Sequence, residues 1–140
     1  MSIAASLAPM FAQVLLVVIL SVLMAKRRAG AMRSSEVKAS ALVGDANAWP
    51  KAARLAANAF HNQFEFPILF YVLTILAVVT KQADVLFVWL AWLFVATRYL
   101  HAFIHVTRNR MPHRFYAFIA GVTVLTVMWI RFAAQIFMTG

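Results

Sequence analysis

The chain has 140 residues, 64% of them hydrophobic and only 12% charged, with a net charge of +9 and no cysteine. So large an apolar share exceeds that of an ordinary globular domain and places the chain in a bilayer. The missing thiols exclude disulfides, cysteine nucleophiles and thiolate-bound metals, so any sulfur chemistry must use a thiol that a ligand brings.

Crossing about 30 Å of hydrocarbon as a helix takes ~20 mostly apolar residues. Four stretches qualify, at residues 3–25, 60–79, 84–106 and 115–137. The first is too long in its apolar part, and too poor in leading basic residues, for a typical cleaved signal peptide, and is read as a span. A polar extension carries the second back to Pro50. With no repeat or low-complexity tract, the expectation is one all-α domain over residues 1–140, an integral membrane four-helix bundle of up-down topology.

The positive charge is unevenly placed. Lys26, Arg27, Arg28, Arg33, Lys38, Lys51 and Arg54 crowd the first connection, and Arg108, Arg110 and Arg114 the third, while the second holds only Lys81 and Asp84. This alternation places the first and third connections in the cytoplasm and both termini on the other side. Most of the charge, Arg33, Lys38 and Arg108 in particular, then reads as a basic rim against anionic lipid headgroups rather than a nucleic-acid surface. A basic, cysteine-free chain with short connections suits a bacterial inner membrane.

The second span opens unusually. In NAFHNQFEFP, residues 58–67, polar side chains stand against a long apolar run. On a helix, Arg54, Asn58, Asn62 and Glu65 share one stripe, with His61 beside it. Pro67 has no N–H to give the carbonyl of Gln63, so a kink is expected there.

Arg98, His101 and His105 form a matching stripe near the cytoplasmic end of the third span. Glu65 lies 15 residues from Thr80 and Arg98 lies 14 from Asp84. At ~1.5 Å per residue both sit about 21–23 Å from the outer face. An unpaired charge at that depth is costly, so a Glu65–Arg98 contact is expected. The fourth span begins RMPHRF, with Pro112 suited to a first helical turn and Arg114 just inside it, where a helix N-terminus already favours anions. In the outer half, Arg131 is isolated near a helix end and is expected to snorkel.

Four helix ends thus bring Arg28, Arg54, Asn58, Asn62, Glu65, Arg98, His101, His105 and Arg114 into the cytoplasmic half of one bundle. Polar groups held in lipid mark function by default, and this set reads as a pocket for a polar, anionic ligand, with apolar surface beside it for a hydrophobic small molecule. Two alternatives compete with it. The polar layer would only fix helix packing in an accessory or lipid-binding protein; or the His61/Glu65 and His101/His105 pairs would hold a metal, against the repulsion of Arg54 and Arg98.

These elements resemble the MAPEG superfamily, the membrane-associated proteins in eicosanoid and glutathione metabolism. N-x-x-E followed shortly by proline is present as Asn62, Glu65 and Pro67, R-x-x-H as Arg98 and His101, and P-x-R as Pro112 and Arg114. The 16-residue interval from Arg98 to Arg114 and the arginines closing the first span, Arg27 and Arg28, fit as well. The likeness covers residues 8–137. It implies a homotrimer of four-helix subunits that holds glutathione between protomers and carries out conjugation or peroxide reduction. Arg114 would stabilise the glutathione thiolate as the catalytic residue, and Asn62 and Glu65 would bind the tripeptide's polar ends. The chain departs from the pattern at Asn58, where glutathione-binding relatives carry arginine, and at His105, where they carry tyrosine; the interval from Glu65 to Pro67 is also short.

Overall fold

A computed structural model of the chain describes residues 1–139, and every regular element among them is helical. Helix α1 covers Ile3–Arg33, α2 Lys51–His61, α3 Pro67–Val79, α4 Val85–Val106 and α5 Met111–Thr139. Helices α2 and α3 together form one membrane-length element, Lys51–Val79, beside Ile3–Arg33, Val85–Val106 and Met111–Met138. The expected all-α, four-span architecture is therefore present.

Local chemistry sets the ends. The Ser2 hydroxyl oxygen accepts the Ala5 N–H at 3.2 Å, and Asp84 accepts that of Phe87 at 2.8 Å, each satisfying a donor that the first helical turn leaves free. Helix α1 runs two turns beyond the expected residue 25, because nothing before Ser34 and the left-handed Ser35 (φ 58°) interrupts it. It carries Lys26, Arg27 and Arg28 out with it. Arg27 then donates to the carbonyls of Ala52 (3.0 Å) and Val106 (2.9 Å), tying the end of α1 to the start of α2 and to the free carbonyl end of α4.

A bilayer gives no hydrophobic drive for one helix to leave lipid for another, so association rests on close packing and interhelical hydrogen bonds. Alanines fill the inner face of α2 at Ala53, Ala56, Ala57 and Ala59. The main core joins Phe70 and Leu73 of α3, Ala91 and Phe94 of α4, and Leu125 and Met128 of α5. Phe70 and Phe94 stack with centroids 4.7 Å apart. Large apolar residues such as Leu15, Ile75, Trp89 and Ile130 remain on the outer surface, as a lipid-facing protein requires.

Helix α4 packs most extensively against α5, and one side chain decides how closely. Arg98 is only 3% exposed and its Nη2 donates to the α5 carbonyls of Ala117 (3.0 Å) and Phe118 (3.2 Å). Gly121 makes room for it. A Cβ there would collide with the guanidinium, coming 2.7 Å from Arg98 Cζ and 2.7 Å from Thr97 Oγ1.

At the other end of the bundle Arg131 pairs with Asp84, the only ion pair among the described residues. Arg131 was expected to be isolated; the α4 cap instead lies beside the outer part of α5 and supplies a carboxylate. Partial burial pushes the Asp84 carboxyl upward, but the hydrogen bond from Arg131, that from the Phe87 N–H and the Arg131 charge together bring it below the usual carboxylate value.

Two outcomes are expected. Gly121→Ala should lower stability by about 1–3 kcal/mol through overpacking, measured by thermal unfolding in detergent. The loss should shrink when Arg98→Met has already removed the guanidinium. Because the folded Asp84 carboxyl is depressed, its stabilisation is present above the unfolded value of about 3.9 and is lost as pH falls through the folded value. Melting followed from about pH 6 to about pH 3 should show Asp84→Asn losing acid sensitivity that the parent retains.

Candidate functional site

The polar site begins at the interruption of the second span. Pro67 leaves the Gln63 carbonyl without a helical donor, and the chain answers with a 3₁₀ turn at Asn62–Phe64, a bend at Glu65 (φ −97°, ψ −109°) and a fresh helix from Pro67. The expected kink is thus a full break. Gln63 turns inward, donating to the Ala59 carbonyl at 3.0 Å and accepting from Gln13 of α1 at 2.9 Å. The Tyr99 hydroxyl of α4 donates to the Ala12 carbonyl at 2.7 Å, one residue from Gln13. With Gln63 held from behind, its neighbours face the opposite way.

They open onto a cavity of about 440 Å³. The broken span contributes Asn58, His61, Asn62 and Glu65, and α4 contributes His101 and His105. Helix α5 adds Arg114 together with an apolar wall of Met111, Phe115 and Phe118. Asn62 Nδ2 lies 3.4 Å from His105 Nδ1; with the amide donating, the ring keeps its proton on Nε2. The His105 ring meets His101 edge-on at 5.8 Å. Both histidines are buried, at 3% and 5% exposure.

Arg114 is aimed by a residue the sequence did not single out. Its Nη1 donates to Asn109 Oδ1 at 2.7 Å and its Nη2 to the Met111 sulfur at 2.9 Å. Asn109 itself adopts a left-handed conformation (φ 47°) and donates its backbone N–H to the Ile104 carbonyl at 2.8 Å, closing α4. An asparagine just past a helical run is the one signal that could have flagged it. Gln13 carried a signal too, as a lone amide inside the first apolar span.

Three of the expected site residues lie elsewhere. Arg28 and Arg54 line a neighbouring recess of about 370 Å³ with Trp49 and Lys51, and Arg28 lies over the Trp49 ring at 5.0 Å. Asn58 and His61 border both spaces. Arg98 lines neither, being turned to α5, with its Cζ 5.5 Å from the Phe94 ring and 5.7 Å from that of Phe118. The expected Glu65–Arg98 contact is not formed. Glu65 sits in the break, exposed on the cavity side, and Arg98 finds carbonyl partners instead of a carboxylate. His61 is likewise exposed while His101 and His105 are buried, and among the described residues no three His, Asp or Glu side chains gather as a metal site.

Four spans with a polar, cation-bearing cavity at one end define an integral, multi-pass membrane protein. Residues 6–134 match the model of the MAPEG family, and the chain belongs to that family. Neither a curated protein nor a solved structure matches it.

Asn109 serves both a backbone turn and the Arg114 contact, and the two roles separate by substitution. Asn109→Gly keeps the left-handed turn and should leave the melting temperature near that of the parent. Asn109→Ala strains the turn and should cost roughly 1–2 kcal/mol. Both should leave Arg114 more open to an arginine-selective dicarbonyl reagent, read by peptide mass mapping.

Proposed function

We propose that the chain binds glutathione from the cytoplasmic side and directs its sulfur to a hydrophobic substrate drawn from the bilayer. The observation that carries this reading is the gathering of Arg114, Asn62, Glu65, His101 and His105 around one cavity, with Phe115 and Phe118 beside them. A volume of about 440 Å³ lies within the ~300–1,000 Å³ typical of small-molecule sites. The donor set also fits the ligand. Amides and a guanidinium suit its carboxylates, Glu65 suits its ammonium group, and a cation suits its sulfur.

When bound, glutathione would supply a thiolate that attacks an electrophilic carbon and displaces a leaving group with its electron pair, or that attacks the terminal oxygen of a peroxide, breaking the O–O bond to release the alcohol as the sulfur is oxidised. A free thiol has a pKa of about 8.5 and is mostly protonated at neutral pH, and Arg114 at the opening of α5 favours the anion. A guanidinium offers five N–H donors, and Arg114 spends two on Asn109 and Met111, leaving others for the sulfur. His105, with its proton on Nε2, donates to the ligand in place of a tyrosine hydroxyl. Arg98 acts from behind by fixing the distance between α4 and α5.

Arg28 and Arg54 flank the cavity through the shared Asn58 and His61, where a ligand's second carboxylate can reach them. In a homotrimer, the arrangement that family likeness supports, the Arg28 of a neighbouring protomer would border the same cleft. The excess of positive charge on the first and third connections supports a cytoplasmic opening in a bacterial inner membrane.

Calorimetry on detergent-solubilised protein, with thiolate absorbance recorded alongside, tests the reading. The parent should bind glutathione with a thiolate signal. Arg114→Ala should lose the signal and bind about 10–150-fold more weakly, as expected for a hydrogen bond to a charged group worth ~1.5–3 kcal/mol. No binding at millimolar glutathione would overturn the proposal and favour an accessory role for the polar layer.

A further inference from the structure

On the far side of the α4–α5 turn lies a recess of about 480 Å³ that shares no residue with the glutathione cavity. Its polar edge is made by Arg108, Arg110 and His113, and its apolar wall by Phe103 and Ile104. All four acidic residues of the chain, Glu36, Asp45, Glu65 and Asp84, lie outside it. The side chains of Arg108 and Arg110, both exposed on the turn, make no hydrogen bond or ion pair among the described residues. That turn is held by the Asn109 N–H on Ile104 and by the Thr107 hydroxyl on the Phe103 carbonyl at 2.6 Å.

The apolar wall does not end at the recess. Leu86, Trp89, Leu93, Ala96, Leu100 and Phe103 follow one another at steps of three and four residues and are all exposed, forming one stripe down α4. The stripe starts in the outer half of the membrane and finishes beside Arg108. We infer that this face binds an anionic phospholipid, its phosphate between Arg108 and Arg110 and its acyl chains along the stripe below Phe103. A scatter of rim arginines would attract anionic lipid without selecting a place. Here two unpartnered cations, a concave wall and a continuous apolar track converge, which matches both halves of a phospholipid at once. Charge complementarity chooses an anionic over a zwitterionic headgroup, because no carboxylate is present to receive a choline or ethanolamine.

Native mass spectrometry of the full chain, titrated with phosphatidylglycerol or phosphatidylcholine, reads this directly. The parent should hold phosphatidylglycerol more tightly than phosphatidylcholine. Arg108→Ala with Arg110→Ala should weaken phosphatidylglycerol about 30-fold, the equivalent of ~2 kcal/mol for two cations at a membrane surface, and should erase the preference. Arg108→Lys with Arg110→Lys should restore part of it, and Phe103→Ala should weaken both lipids. Arg114→Ala should change none of these values, so failure of the glutathione reading would leave this one standing. Equal affinity for the two lipids, an unchanged affinity in the double alanine variant, or inorganic phosphate binding as tightly as the lipid would overturn the inference. So would dissociation of an oligomer by the double alanine variant, which would make this face a contact between copies of the chain.

Discussion

The arrangement turns on the buried guanidinium of Arg98. A cation in the membrane interior must find partners, and this one finds them in two backbone carbonyls of the neighbouring helix, at 3.0 and 3.2 Å. The bond reaches the backbone itself, so it fixes the separation and axial position of α5 rather than the rotamer of a facing side chain. Gly121 follows from it, as does the placing of Phe118 and Ala117. Arg114, one turn before Phe118, is thereby held across from His101 and His105. The polar cavity is the space that this spacing leaves.

A second constraint acts on the broken span. In lipid, irregular backbone survives only where protein or a water-lined cavity covers it. The break at residues 62–66 meets both conditions: Gln63 seals one side through Gln13 and Ala59, and the cavity occupies the other. An interruption that would weaken a span elsewhere thus becomes the wall of a cavity. The polar residues in the approach to that apolar run are explained by the same geometry, since Asn58, His61, Asn62 and Glu65 line the cavity.

Much of this was legible in the sequence. Hydropathy marked the four spans, and helical spacing with the helix-end signals brought Asn62, Glu65, His101, His105 and Arg114 into one half of the bundle. What escaped was the identity of partners. Arg98 was matched to Glu65 because charge pairing is visible in a sequence, whereas a carbonyl acceptor is available at every residue and so marks none. Arg131 looked unpaired because helix tilt and end position decide whether Asp84 can reach it. The stripe from Arg54 to Glu65 assumed a continuous helix; Arg54 lines the neighbouring recess, Asn58 borders both spaces, and only Asn62 and Glu65, at and beyond the break, face the cavity alone. Asn109 escaped because its role depends on a left-handed backbone that only the closed turn reveals.

The two structured connections differ in how much chain-length change they can absorb. Between α1 and α2 the chain takes 17 residues, 34–50, through two short 3₁₀ turns and mostly exposed side chains. Between α4 and α5 it takes only residues 107–110, with one in a left-handed conformation and another bonded back to its helix. Added residues in the first would loop into water at little entropic cost. One residue added to the second would rotate α5 by about 100° and turn Arg114 away from the cavity, so the register of the last helix is set by the shortest of the three connections between spans.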